Sequence, residues 1–204
     1  MSDLSRRDFF VQSGLYGGSL WMLLNARPRA VLAAQSSTRR EALTEAQWKT
    51  VQAVTARIIP TDHEPGAIEA NCVNFIDKAL AHEDADLTPH YAAGLPAVDA
   101  AARARFGRTF AELATSEQDV LLVALQDGKV DGWNAVGVTA ADFFETVRVH
   151  TIIGFLSDPV HGGNRDFAGW KVVGYPGPAH HRGGYTPAQM IGQEKIVPIW
   201  DDEA

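Results

Sequence analysis

Histidines are the side chains in this sequence best suited to acid–base chemistry or to metal binding near neutral pH. His150 lies in an apolar helical stretch, which favours a hydrogen-bonded histidine in a protein core over a metal ligand. His180 and His181 are adjacent, whereas two ligands on one helical face are three or four positions apart. An alternative stays open, a metal-binding protein or enzyme that uses four histidines: His150, His161, His180 and His181.

The other motifs that carry chemistry are missing from the chain. There is one cysteine, Cys72, so neither an internal disulfide nor a cysteine-ligated iron–sulfur cluster can form. We expect Cys72 to be a small buried apolar residue. The sequence has no C-x-x-C-H, G-x-G-x-x-G, H-E-x-x-H or G-x-S-x-G motif. We therefore predict no catalytic residue, no cofactor and no metal in this chain.

Net charge excludes two classes of partner. The chain of 204 residues carries a formal charge of −7, and its first 34 residues contain four arginines and two acids. The remainder therefore carries −9. Nucleic acid would be repelled by such a body, and so would an anionic lipid surface. We expect no nucleic-acid partner, and membrane association only through other proteins.

The N-terminus has the layout of an export signal. Arg6, Arg7 and Phe9 open the chain, and an apolar run over residues 10–24 follows, diluted by glycine and serine. This run is too short and too rich in glycine for a comfortable membrane span. A paired arginine ahead of such a run predicts a twin-arginine (Tat) signal over residues 1–34.

This signal predicts delivery to the bacterial periplasm by the Tat translocase. Cleavage is expected after Ala33 or Ala34, in a stretch of small residues. In the alternative, the leader is retained as an anchor. Because the Tat route carries folded proteins, it is useful when a cofactor must be inserted first. A folded chain that holds no cofactor is then expected to travel with a partner that does.

The rest of the sequence predicts an all-α protein, with a helical domain at 35–156 and an irregular arm at 157–204. Capping boxes mark two helix starts, Thr44 with Gln47 and the run from Thr115 to Gln118. Three other histidines are expected in loops: His63, His82 and His90. Apolar periodicity and stop signals predict helices over 44–59, 66–82, 89–106, 115–128 and 140–155.

The arm contains eight glycines and five prolines but no sustained period. Its string D-P-x-x-G-G-N, continued by G-W and G-Y-P-G, has the residue types of consecutive tight turns. Trp170 and Tyr175 are large side chains with a polar group, which suits them to interfaces.

That string resembles the gluconate 2-dehydrogenase subunit 3 family. The resemblance extends over residues 43–62, 65–67 and 75–77 and includes the twin-arginine leader. It implies a small subunit, required for export and assembly, in a membrane-bound complex. It further implies a large FAD-containing subunit that oxidises a sugar or sugar acid, and a multihaem cytochrome c that passes electrons to quinone. His161 departs mildly from the family pattern. The resemblance does not identify the substrate of the complex.

On this interpretation the arm binds the flavoprotein, while two alternatives stay open. The arm could instead cap the chain's own helices, since glycine and proline in loops usually serve backbone geometry. The whole chain could also be a freestanding periplasmic binding module. The residues expected at the partner interface are Asp158, Gly162, Gly163, Asn164, Trp170, Tyr175, Pro176 and Gly177.

Overall fold

The fold was obtained as a computed structural model, which describes residues 39–178 and 184–198. Within these ranges the chain is helical and has no strand, which confirms the all-α prediction. The predicted leader, with Arg6, Arg7 and Phe9, and the pair His180 and His181 lie outside them. The helices are α1 Glu45–Ile58, α2 Cys72–Ala81, α3 Thr88–Phe106, α4 Thr115–Gln126, α5 Ala140–Leu156, α6 Ala168–Val173 and α7 Pro187–Met190.

Helix α5 lies at the centre of the fold, as its apolar sequence predicts. It packs against α1, α2, α3 and α4 on different sides and against α6 near its end. Phe143, Val147 and Phe155 project from it and are almost completely buried. Gly94 of α3 lies so close to the Phe143 ring that a Cβ there would be 2.1 Å from a ring carbon. The core is therefore built around α5.

Helix α1 begins where the sequence predicts. The Thr44 hydroxyl accepts a hydrogen bond from the Gln47 backbone N–H at 3.3 Å, and the Gln47 side chain accepts one from the Thr44 N–H at 2.9 Å. Leu43 and Trp48 join the same apolar cluster. This reciprocal cap satisfies two N–H groups that a helix end otherwise leaves without partners.

Two local predictions are wrong. The helix expected from residue 66 starts at Cys72, because the chain first folds back on the end of α1 and Ala67 donates to the Ile59 carbonyl at 2.8 Å. Cys72 itself is buried, as expected. His90 lies within α3 instead of a loop and stacks on the Phe143 ring. At Cys72 a tertiary contact sets the helix boundary, which local residue preferences do not contain, whereas the helix predicted over 89–106 already includes position 90.

A buried carboxylate fixes the segment that leads into α1. Asp77 of α2 is 0% exposed, and both of its oxygens accept backbone hydrogen bonds. The N–H groups of Glu41, Ala42 and Leu43 donate to it at 2.7, 3.0 and 2.7 Å. These charge-assisted bonds replace the hydration that the carboxylate loses on burial. Residues 41–43 are thereby held against α2, and we call this contact the entry clamp.

A second set of contacts supports the entry clamp from the surface. The Glu41 carboxylate binds the Lys78 ammonium at 2.9 Å and the His82 ring at 2.9 Å. The hydrogen bond from Lys78 is the main reason that the pKa of Glu41 lies below its ordinary value, although partial burial opposes this shift. The lowered pKa means that folding favours the ionised form of Glu41.

We expect Asp77→Asn to lower the free energy of unfolding by about 2–3 kcal/mol, because an amide has one acceptor oxygen where the carboxylate has two. Asp119→Asn is the matched control, since Asp119 is half exposed and pairs with Arg57 on the surface. The control should cost less than about 1 kcal/mol. Urea unfolding of both variants measures the two changes in the free energy of unfolding. Equal decreases would contradict the stabilising role assigned to the entry clamp.

The stabilisation contributed by Glu41 should depend on pH. Because its pKa is lowered on folding, the contribution is complete above the unfolded value of 4.5 and is lost as the pH falls through the folded value. The difference in melting temperature between wild type and Glu41→Gln should therefore shrink between pH 5 and pH 3, roughly the window that linkage gives. A difference that is the same at pH 3 and pH 7 would contradict the assigned pairing.

Candidate partner-binding surface

The Asn164 side chain organises the segment that carries the turn motif. Asn164 is 0% exposed and has a left-handed backbone, with φ of 44°. Its amide donates to the Ser157 carbonyl at 2.8 Å and accepts from the Gly169 N–H at 2.8 Å. Its own backbone N–H donates to the Gly154 carbonyl at 2.7 Å. One residue thus connects the end of α5 to the start of α6, and we call this the Asn164 bracket.

Glycines around the Asn164 bracket allow the backbone to approach helix α5 closely. A Cβ on Gly163 would lie 2.1 Å from the Gly154 carbonyl oxygen, and one on Gly169 would lie 1.8 Å from the Phe155 oxygen. The Gly162 carbonyl accepts from the Asn74 amide of α2 at 2.8 Å. Gly163 and Gly169 are therefore required by the lack of space beside α5.

Most of the residues expected at the partner interface are therefore buried within this chain. Asp158 is 5% exposed, and its carboxylate accepts from the Val160 N–H at 3.0 Å. Five others of the set are also buried: Gly162, Gly163, Asn164, Trp170 and Gly177. This burial favours the alternative that the motif caps the chain's own helices. Direct partner binding by these six residues stays a prediction.

Trp170 and the remaining two expected residues, Tyr175 and Pro176, belong to an aromatic layer on the end of α5. The Trp170 indole N–H donates to the Leu156 carbonyl at 2.6 Å, which anchors the ring there. Phe167 stacks on Trp170 at 5.5 Å, and Tyr175 meets it edge-on at 4.9 Å between ring centroids. Pro176 is half-buried beside them. Burial is the main cause that raises the pKa of Tyr175 to about 12, so its phenol stays protonated at neutral pH.

This aromatic layer forms one wall of a cleft of about 780 Å³. The opposite wall comes from the end of α7 and the residues after it, where Met190 and Ile191 are 63% and 67% exposed. Sequence reasoning missed these two residues, because α7 has only four residues and no period marks it. The residues that line the cleft are Asp166, Phe167, Trp170, Lys171, Gly174, Tyr175, Pro176, Gln189, Met190, Ile191, Gly192, Glu194, Lys195 and Ile196.

A separate polar cluster lies in the core. The Tyr91 hydroxyl is 2.9 Å from His150 Nδ1, and His150 Nε2 is 3.3 Å from an Asp84 carboxylate oxygen. The order hydroxyl, imidazole, carboxylate is that of an activated nucleophile. However, Tyr91 and His150 are almost completely buried, so a substrate has no access to them. His150 is the hydrogen-bonded core histidine that the sequence predicts, and its bond to Tyr91 ties α5 to α3.

The described residues do not assemble the alternative histidine site. His161 lies in the short turn Pro159–His161, and burial is the main reason that its pKa is lowered. Across residues 39–178 and 184–198, no three histidine, cysteine, aspartate or glutamate side chains are grouped as metal ligands. In the same ranges no helix is long and apolar enough to cross a membrane.

Comparison with known protein families gives a match over residues 45–177, which runs from α1 to the end of the aromatic layer. The matching family consists of subunits of a dehydrogenase complex. It is described as Gluconate 2-dehydrogenase subunit 3, and the chain belongs to this family. No curated protein and no solved structure matches the chain. The family expected from the turn motif is thereby confirmed.

We expect Gly169→Ala to lower the free energy of unfolding by about 3 kcal/mol, because its methyl group would overlap the Phe155 carbonyl. Gly174→Ala is the control. Gly174 has a positive φ of 70°, and no atom lies within 4 Å of the place that a methyl group would take, so only backbone strain of about 1–2 kcal/mol is expected. Denaturant unfolding compares the two variants. Equal denaturation midpoints for the two variants would show that the close approach of Gly169 to the Phe155 carbonyl does not limit stability.

Proposed function

We propose that this chain is the non-catalytic small subunit of a membrane-bound, FAD-dependent dehydrogenase that faces the periplasm and acts on a sugar or sugar acid. The observation that carries the proposal is the family match over residues 45–177. The family places the chain in a dehydrogenase complex, so dehydrogenase subunits are its partners. FAD is then held by the large subunit and haem c by a multihaem cytochrome subunit.

The proposed role is export, assembly and stabilisation of the flavoprotein subunit. The twin-arginine pattern at Arg6 and Arg7 supports export in a folded state. The absence of cofactor motifs from the sequence supports a partner as the reason for that route. The net charge of −9 after residue 34 argues against direct docking on anionic lipid. We therefore propose that the complex reaches the periplasmic face of the inner membrane and is attached there through its cytochrome subunit.

We expect Arg6→Lys combined with Arg7→Lys to abolish periplasmic delivery of both this chain and the flavoprotein when the two are co-expressed, since the signal requires its arginine pair. The chain offers a matched control in its second adjacent pair, Arg39→Lys with Arg40→Lys, which lies after the predicted leader. The measurement is FAD-dependent dehydrogenase activity in periplasmic and cytoplasmic fractions.

Expression of the flavoprotein subunit without this chain tests the proposed role in export and assembly. We expect the subunit to stay in the cytoplasm or to be degraded. If it folds, binds FAD and reaches the periplasm alone, the chain is not its export partner. Failure of the Arg6 and Arg7 double variant to change delivery would show that the leader does not act as a Tat signal.

A further inference from the structure

We propose that Tyr91 and His150 form a redox-active pair in the core, in which Tyr91 loses an electron and passes its phenolic proton to His150. The electron goes to a radical oxidant at the protein surface. The Tyr91 O–H bond breaks and an N–H bond forms at His150 Nδ1, which leaves a neutral tyrosyl radical beside an imidazolium. This inference goes beyond the proposed function and does not depend on it, because it uses contacts within this chain alone.

The first argument is the geometry between the two side chains. The Tyr91 hydroxyl lies 2.9 Å from His150 Nδ1, and the two rings stack at 11° with their centroids 5.7 Å apart. Burial is the main reason that the pKa of Tyr91 is raised well above its ordinary value, and the charge of Asp84 adds to this shift. The phenol is therefore protonated at neutral pH and donates the hydrogen bond when the imidazole is neutral. An oxidised phenol is a strong acid, so its proton moves to the base that already accepts this bond.

The second argument is a carboxylate placed to stabilise the imidazolium. Asp84 Oδ2 lies 3.3 Å from His150 Nε2. This oxygen is buried and accepts no hydrogen bond within residues 39–178 and 184–198, so the contact with Nε2 is one of charge and not of a well-aligned hydrogen bond. A positive charge that develops on His150 supplies the counter-charge that this oxygen lacks. Proton donor, proton acceptor and counter-charge thus stand in sequence.

The third argument is a route for the electron out of the core. Tyr91 is 1% exposed, so an oxidant in solution cannot touch its ring. The Phe143 ring lies 5.8 Å from that of Tyr91 and 6.1 Å from that of Trp133. Trp133 is half-buried in the loop between α4 and α5 and reaches the surface there. An electron therefore crosses from Tyr91 to an oxidised Trp133 through one intervening ring.

The test is photo-oxidation of the purified full chain by a flash-generated ruthenium(III) tris-bipyridine complex, followed by electron paramagnetic resonance of the frozen sample. Wild type should give a long-lived tyrosyl signal, because burial shields the radical from solvent. Tyr91→Phe should remove this signal. Tyr175→Phe is the matched control and should retain it, since Tyr175 is half-buried and hydrogen-bonds to the Tyr185 hydroxyl instead of a base. A wild type without the signal, or an equal signal in Tyr91→Phe, would overturn the redox-active pair.

Two further measurements, made by transient absorption after the flash, test the proton transfer. In wild type, the radical should form about two-fold more slowly in D2O than in H2O, because a proton moves with the electron. His150→Gln should slow its formation at least about ten-fold, since an amide is not a base. His161→Gln is the control, because His161 is also half-buried or more but lies in the turn Pro159–His161.

Melting curves identify the variants that are folded, and the isotope measurement needs no variant. Equal rates in D2O and H2O, or equal rates in wild type and a folded His150→Gln, would overturn the proton transfer and with it the proposal. Trp133→Phe should also slow radical formation, whereas Trp48→Phe on α1 should leave it unchanged. An unchanged rate in Trp133→Phe would overturn the route through Trp133.

Discussion

One fully buried amide, that of Asn164, determines how the C-terminal part of the described chain is arranged. It joins the end of α5 to the start of α6 through hydrogen bonds to Ser157 and Gly169, and the Asn164 backbone N–H adds a bond to the Gly154 carbonyl. A buried amide without these partners would cost roughly 1–3 kcal/mol, so all of them must be in place together. The close glycine contacts, the anchored Trp170 ring and the wall of the cleft follow from this bracket. The turn motif that the sequence assigns to a partner interface is thus held together by interactions within the chain.

Helix α2 connects this bracket to the opposite end of the described chain. Near its start, the Ala70 carbonyl accepts from the Arg165 N–H at 3.1 Å, and Asn74 donates to the turn at Gly162. One turn further along, Asp77 holds residues 41–43 in the entry clamp. The same helix therefore binds the segment before α1 and the segment after α5. Because both contacts are buried and polar, they specify a single arrangement of these segments.

Local chemistry is sufficient to predict α1 with its Thr44 cap and the burial of Cys72, and the resemblance of the turn motif indicates the family. The cap expected at Thr115 is wrong, because Ala114 occupies the N-cap position of α4. Local chemistry does not predict that the turn motif is buried, because asparagine and glycine in loops usually lie at the surface. Only the tertiary partners on α5 and α2 make burial of Asn164 and Gly163 favourable. Met190 and Ile191 escape prediction for another reason. They line the cleft together with an aromatic wall that is distant in sequence. No periodic pattern near residue 190 therefore indicates the cleft.

The entry clamp also limits how far residue 34 can lie from the folded domain. Six residues, 35–40, lie between Glu41 and Ala34, the later of the two expected cleavage points, so the chain makes seven steps from one to the other. A fully extended chain spans about 3.5 Å per residue, so Ala34 can lie no more than about 25 Å from Glu41. Under the export role that we propose, a translocase that holds residues 1–34 would keep the folded body within about one domain diameter of the membrane pore.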